Sequence, residues 1–145
     1  MANSLFLAYK QEQIGDAAGP GHGAVDWELA TTIKATLHDS ADTTVNVNTH
    51  QDIADILAAG RVATVALTSR TVVASSNTLT IDAADATFAT VTGDQAEQII
   101  IWNDSGVEST SLLIVFFDTF TSGMPVTPNG GNIDLVFNAS GIFTW

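Results

Sequence analysis

The sequence of 145 residues contains no cysteine, and this absence excludes several kinds of chemistry. Without thiols the chain can form no disulfide framework and no cysteine-based zinc site, and it cannot use thiol catalysis. The first residues also lack the basic region of a secretion signal, and two acidic residues, Glu12 and Asp16, follow soon after them. We therefore expect the protein to be made and folded in a cytosol.

Basic residues are scarce as well. Four lysines and arginines stand against sixteen aspartates and glutamates, which leaves a formal net charge of -12. A charge of this sign repels phosphate backbones and anionic lipid, so the sequence predicts neither a nucleic-acid partner nor a membrane partner. Charged residues make up only 14% of the chain and hydrophobic residues 46%, which is typical of a folded domain with a core.

No apolar run is long enough to cross a bilayer as a helix, but one run lacks any polar face. Residues 112–117 read LLIVFF, whereas residues 133–137 alternate apolar and polar side chains as in a strand with one wet face. A strand that is apolar on both faces must be covered on both, either by another layer of its own fold or by a second subunit.

The last third of the chain is organised as short apolar runs separated by turn residues. The runs at 99–102, 112–117 and 133–137 are separated by clusters of glycine, proline, asparagine and aspartate. This spacing predicts neighbouring antiparallel strands joined by turns, a β-meander. Further strands are expected at 31–38, 62–67, 71–74, 79–81 and 88–91.

Two short helices are expected. The first runs from Leu5 to about Ile14, capped by Ser4 and ended by Gly15, and the second follows the cap residues Thr49 and Asp52 and stops at Gly60. The glycine-rich segment 19–23 then makes residues 1–26 a helix or arm, which either packs on its own domain or is lent to a neighbour.

No internal repeat or low-complexity linker divides the chain. We therefore predict a single mainly β domain over residues 1–145, with an N-terminal arm (1–26) and a body (27–145). The expected architecture is a jelly-roll-like antiparallel β-sandwich or barrel with one or two short helices.

The search for catalytic or metal-binding residues yields weak candidates. The three histidines, His22, His38 and His50, have no partner at a metal-ligand spacing, so we expect surface or capping roles for each. Aspartates and glutamates recur at turns in three sets: Asp39 with Asp42, Asp82 with Asp85, and Asp104 near Glu108. For these sets we expect turn and cap roles in preference to a calcium site.

Motifs of catalysis are missing too. The chain has no G-x-S-x-G elbow, no glycine-rich phosphate loop after a strand, and nothing that selects a glycosidase pair from sixteen carboxylates. The sequence thus predicts a protein that is not an enzyme and needs no cofactor. Of the three tryptophans, Trp27 and Trp102 are expected in the core, and Trp145 is expected to be held in a sheet or against a partner.

Many short segments resemble one known family. They are LFLAYK (5–10), TIKATL (32–37), AGRVA (59–63), LT (67–68), TV (71–72), Phe88, VTGDQAE (91–97), TSLLI (110–114), GMPVTPNGG (123–131), Ile133 and GIF (141–143). As a pattern over most of the chain, they resemble small virion structural proteins of tailed bacteriophages. The resemblance implies a β-sandwich on the particle, with head decoration or cement as the role, and it supplies no catalytic residues.

Three functions are therefore weighed. The first is a capsid decoration protein on the outer shell, assembled in the host cytoplasm, which binds the major capsid protein and itself, with a homotrimer favoured. Many weak contacts repeated over a lattice would give it avidity without chemistry. The alternative is a tail or fibre component or a carbohydrate-binding attachment module, which an exposed cluster of tryptophans and aspartates around a concave groove would favour. A small hydrolase comes third and would require paired carboxylates in a pocket.

Overall fold

The structure, a computed structural model, describes residues 3–17, 19–29, 32–118 and 123–145. The strands are β1 (Ser4–Leu5), β2 (Ile33–His38), β3 (Arg61–Ala66), β4 (Thr71–Ser75), β5 (Thr78–Asp82), β6 (Ala86–Phe88), β7 (Gln98–Asn103), β8 (Leu113–Phe117), β9 (Ile133–Leu135) and β10 (Phe143–Thr144). One α-helix, α1 (Leu7–Ile14), and three 3₁₀ turns complete the described part; the turns are Ile53–Asp55, Ala58–Gly60 and Glu108–Thr110. The mainly β prediction is confirmed, and the choice between sandwich and barrel stays a prediction.

The strands form three antiparallel sheets. The largest has the order β1-β8-β7-β2-β3, the second the order β10-β5-β4, and β6 pairs with β9 in the third. Strand β7 therefore lies in the middle of the large sheet, and it pairs along its length with β2 on one side and β8 on the other. The residues of this centre are β-branched or aromatic, which suits a strand covered on both faces.

Both faces of the large sheet are covered within the chain. On one face, Leu37 and Ile99 line a cavity together with Phe88 and Leu135 of the β6–β9 sheet. On the other, Phe116 meets the ring of Phe6, with 6.4 Å between the ring centroids and an edge-to-face geometry. All five residues of β8 are buried as a result. The apolar run at 112–117 thus finds its cover in its own fold, so it gives no argument for a second subunit.

The predicted meander is correct only for its first pair of strands. Strands β7 and β8 are antiparallel neighbours, but β9 pairs with β6 and β10 pairs with β5. The reason is that β1 occupies the other edge of β8, where Ser4 lies opposite Phe116 and Leu5 opposite Val115. Local turn signals cannot reveal this, since the competing strand comes from the opposite end of the sequence.

The helix predictions need two corrections. Helix α1 starts at Leu7 and not at Leu5, because Ser4 and Leu5 extend the large sheet, and Ser4 is therefore not the cap. The helix ends at Gly15 as predicted, where a left-handed φ of 70° suits glycine. The second predicted helix is two 3₁₀ turns, since Ile56 between them has an extended backbone that ends the first turn; the Ile53 N–H donates to Ser111 O just before β8.

The N-terminal segment packs on its own chain. Phe6, Ala8 and Tyr9 are buried, and the Leu7 N–H donates to Val47 O at 2.8 Å. Of the two fates that the sequence left open for this arm, the structure therefore places the described residues against their own domain.

Within the described part of the chain, no helix has the length and apolar character needed to cross a membrane.

Candidate functional site

The hairpin of β4 and β5 is the most unusual surface of the protein. From Thr71 to Ile81 the chain carries no charged residue, in a protein whose net charge is -12. Among the described residues β4 pairs with β5 alone, and on its outer edge the Val72 N–H donates to Glu28 Oε1 at 3.3 Å. The rest of this edge has no strand partner among the described residues, and such an edge is a common site of strand addition or of contact with another protein.

The register of the hairpin carries an apolar row from the core to the surface. Residues that lie opposite each other in antiparallel strands share a face, and so do residues two apart on one strand. The inner row packs on the core; it consists of Val72, Ile81 and Phe143. One step farther along the same face lies a second row, which we call the exposed row: Ala74, Leu79 and Trp145.

The exposed row presents large apolar side chains to solvent. Leu79 is 41% exposed and Trp145 is 43% exposed, while Val73, on the opposite face of the hairpin, is 56% exposed. Single exposed apolar residues are normal on a protein surface, but neighbours in one row form a patch of the kind found at interfaces. The tryptophan at one end of this row adds contact area with little loss of side-chain entropy.

An aromatic cluster supports the exposed row from beneath. The Tyr9 ring lies 5.6 Å from the Trp145 ring and 6.2 Å from the Phe143 ring, and Trp27 lies 5.8 Å from Phe143. The indole N–H of Trp27 donates to Asp82 O at 2.9 Å, which ties the cluster to the end of β5. Burial raises the pKa of Tyr9 to about 12, so its hydroxyl stays neutral. The row is therefore held before any partner arrives.

A buried carboxylate fixes the loop that leads to Trp27. Glu12 on α1 accepts the backbone N–H groups of Gly21 at 2.5 Å, His22 at 3.0 Å and Gly23 at 2.6 Å. Three donors that converge on one carboxylate give charge-assisted hydrogen bonds, which are stronger than neutral ones. The glycine-rich segment 19–23 is in this way tied to the helix.

His38 contradicts the surface or capping role predicted for it. Its side chain is fully buried, because β2 is flanked by β3 and β7 and the turn at Gly60 closes over its end. Nδ1 lies 2.9 Å from Gln98 Oε1, and the Gln98 amide nitrogen donates to Asp118 Oδ1 at 2.6 Å. Burial lowers the pKa of His38, while the hydrogen bond with Gln98 and nearby carboxylates oppose the shift.

The other two histidines stay near the surface. His22 Nδ1 lies 3.3 Å from Asp52 Oδ1 in a half-buried contact, and neither atom forms a hydrogen bond among the described residues. Burial raises the pKa of Asp52, which the charge of His22 partly offsets. His50 Nδ1 accepts the N–H of Asn46 at 3.4 Å, which is a weak capping contact. His22 and His50 therefore fit their predicted roles in a broad sense.

Two of the three predicted carboxylate sets have partners within the fold, most of them distant in sequence. Asp82 accepts the N–H of Ala83 and Asp85 accepts the N–H of Phe137, both at 2.9 Å. Asp104 and Glu108 each face a cation, Lys34 at 2.5 Å and Arg61 at 2.7 Å respectively. The hydrogen bond from Lys34 lowers the pKa of Asp104, and the one from Arg61 lowers that of Glu108.

The third set is joined by a residue that sequence reasoning missed. Asp39 accepts the N–H of Ala41 at 2.7 Å, as expected of a turn residue. The fold also brings Asp94 to Asp39 and Asp42, so that one carboxylate oxygen from each lies within 4.8 Å of the others. No spacing rule could find this group, because more than fifty residues separate Asp42 from Asp94. We call these three residues the acidic cluster.

The tryptophans follow their predictions. Trp27 and Trp102 are buried, and the indole N–H of Trp102 donates to Thr36 Oγ1 at 2.9 Å. Trp145 is held in the sheet, where its N–H and C=O both bond to Leu79. The hairpin patch had one signal in the sequence, the uncharged stretch 71–81, but only the register places Trp145 beside it.

Comparison with known proteins identifies no relative. No protein-family model matches the chain, and no curated protein matches it.

Proposed function

We propose that the protein is a structural component of a tailed-bacteriophage virion, which decorates the outer surface of the capsid and stabilises contacts between capsomers. The observation that carries the proposal is the exposed row on the uncharged stretch 71–81 of the β4–β5 hairpin, an apolar surface on a strongly acidic protein. The resemblance of many short segments to small virion proteins supplies the biological setting. The partner that fits this surface is the major capsid protein.

The physical case rests on complementarity and repetition. An apolar patch with an open strand edge contributes contact energy, while the acidic remainder of the surface repels copies that are wrongly placed. Each contact can be weak, because a lattice repeats it many times and the gain is in avidity. The aromatic cluster beneath the row reduces the entropic cost of binding, since the side chains are already ordered.

Self-association, with a homotrimer favoured, stays part of the proposal but needs another basis than the run at 112–117. That run is buried in its own chain, whereas β4 has no strand partner on its outer edge among the described residues, and residues 71–81 carry no charge. A trimer would therefore form through β4 or the exposed row. The alternative, an attachment module that binds sugar on aromatic platforms, is less favoured because Trp27 and Trp102 are both buried.

The test compares virions with and without this protein. If it decorates the shell, particles that lack it keep their adsorption to host cells but lose resistance to heat and osmotic shock. Adding the purified wild-type chain restores the resistance, and it sediments with the particles. Intact, stable heads that fail to adsorb would instead support a tail or fibre role and overturn the proposal.

The surface is tested with two matched variants. Leu79→Asp puts a charge into the exposed row, and Leu57→Asp makes the same change at an exposed leucine outside the hairpin, 58% accessible. We expect only Leu79→Asp to lose sedimentation with the particles, by about tenfold or more, as at interface hot spots. Equal binding of both variants would remove the hairpin from the interface.

A further inference from the structure

The turn after β2 and the loop before β7 bring three carboxylates together. The acidic cluster comprises buried Asp39 with exposed Asp42 and Asp94. Carboxylates this close repel each other unless a cation or a proton lies between them. The basic residues Lys34 and Arg61 are bound to other carboxylates, those of Asp104 and Glu108. The cluster is therefore rich in negative charge.

A separate observation comes from the buried His38. Its Nε2 atom is buried and has no hydrogen-bond partner among the described residues. This atom lies beside the turn that holds two of the carboxylates: the point where a Cβ would stand on Gly60 lies 3.3 Å from His38 Nε2, 3.2 Å from Asp42 Cβ and 3.2 Å from the backbone oxygen of Asp39. Since buried polar atoms are nearly always satisfied, Nε2 calls for a hydrogen-bond donor close to this turn.

The hydrogen bonds of the ring settle which nitrogen has a free lone pair. The Gln98 amide nitrogen donates to the Asp118 carboxylate, so the Gln98 oxygen is the atom that faces His38. An amide oxygen only accepts, and Nδ1 must therefore carry the proton. Burial disfavours the charged form of the ring, and in the neutral form Nε2 is then an acceptor.

We propose that the acidic cluster binds one calcium ion, with Asp39, Asp42 and Asp94 as ligands and His38 Nε2 as acceptor for a water of the ion. Calcium is the cation that fits, because it takes carboxylate and water oxygens in flexible geometry and tolerates an open, partly solvated site. The ion would join the turn after β2 to the loop at Asp94, two segments far apart in sequence.

The experiment is a calcium titration of the full chain after treatment with a chelator, followed by calorimetry and by thermal unfolding. We expect one site with a Kd of about 10⁻⁴ to 10⁻³ M, the range of open extracellular calcium sites. Saturating calcium should raise Tm, since the ion binds the folded state. Absence of both heat and a Tm shift at millimolar calcium would overturn the proposal.

Two variants and a control locate the site. Asp42→Asn and Asp94→Asn replace exposed ligands, so both chains should fold, and each should weaken calcium binding by about tenfold or more. Asp82→Asn makes the same change in the other Asp-x-x-Asp turn and should leave the affinity unchanged. If Asp82→Asn weakens binding equally, the effect is one of general surface charge and the site does not exist.

His38 offers a readout that needs no substitution at a buried position. In NMR spectra of the wild-type protein, its Nε2 resonance should shift on addition of calcium, with the proton still on Nδ1, and the shift should vanish in Asp94→Asn. An unchanged resonance would exclude the water-mediated contact. Zinc in place of calcium should bind no tighter; tight zinc binding with direct imidazole ligation would overturn the choice of calcium.

Discussion

Leu79 of β5 and Trp145, directly after β10, lie opposite each other. They exchange two backbone hydrogen bonds, each 2.9 Å long. This pair fastens the last residue of the sequence to the middle of the hairpin. It also sets two large apolar side chains next to each other on the surface, where the face of the sheet leaves the core. The proposed docking surface depends on this one register.

Gly141 allows β10 to approach β5. A Cβ at this position would lie 2.6 Å from Thr80 Cγ2 and 3.0 Å from Ile81 O, and φ is 96°. We expect Gly141→Ala to lower the free energy of unfolding by about 1 to 3 kcal/mol through clash and strain, as measured by chemical denaturation.

The control is Gly106→Ala, whose φ is also positive, at 88°, but whose Cβ would meet nothing within 4 Å. Gly106→Ala should lower the free energy of unfolding only by the cost of the strained backbone. Equal losses for the two variants would mean that close approach of β10 to β5 is unimportant.

Glu12 holds the loop that leads to the aromatic cluster. Replacing it by glutamine keeps the size of the side chain but removes the charge and one acceptor oxygen, while three N–H groups still converge there. We expect Glu12→Gln to cost about 1 to 3 kcal/mol of stability, the range for hydrogen bonds to charged groups. Limited proteolysis should cut the variant faster within 19–23.

The reference is Lys10→Gln, which also removes one charge but does so at an exposed site on the same helix. It should leave both stability and the cleavage rate near the wild-type values. If Glu12→Gln were cleaved at the same rate as the wild-type protein, other contacts would hold the loop.

Thr36 satisfies the indole of Trp102 inside the large sheet. Its Oγ1 accepts the Trp102 N–H at 2.9 Å and lies 2.9 Å from Thr64 Oγ1. Thr36→Val leaves a buried N–H without a partner, which should cost about 1 to 3 kcal/mol. Thr64→Val, on an exposed position, removes only the second contact and should cost less. The reverse order in denaturation experiments would contradict this role.

The protein should become less stable as the pH decreases, because His38 takes up a proton when the chain unfolds. Burial lowers the pKa of His38 below its usual 6.5, and the opposing effects of Gln98, Asp39, Glu97 and Asp42 are smaller. Between the folded and unfolded pKa values the unfolded chain binds the extra proton, so stability is complete above 6.5 and decreases as pH falls below it. One proton gives a slope of at most about 1.4 kcal/mol per pH unit.

The measurement is denaturation at several pH values above the range in which carboxylates titrate, together with an NMR titration of the His38 ring. The ring should titrate below 6.5. A midpoint at or above that value, or stability independent of pH, would show that burial does not control this histidine.

Much of the architecture was predictable because it depends on local patterns. The period-two alternation at 33–37 and the turn residues between apolar runs determine where strands begin and end. The left-handed Gly15 stops α1 at the predicted place. The composition alone indicates a folded domain without cysteine chemistry, since these properties are sums over residues and need no long-range contact.

Strand partners, and with them both proposed sites, were decided only by tertiary structure. Ser4 and Leu5 form a strand because β8 offers an edge to them, and Asp94 joins Asp39 and Asp42 because β7 lies beside β2. His38 is buried because other segments close over the end of its strand. Such contacts join residues distant in sequence, and the free energy that selects them comes from burying whole faces, which no local pattern records.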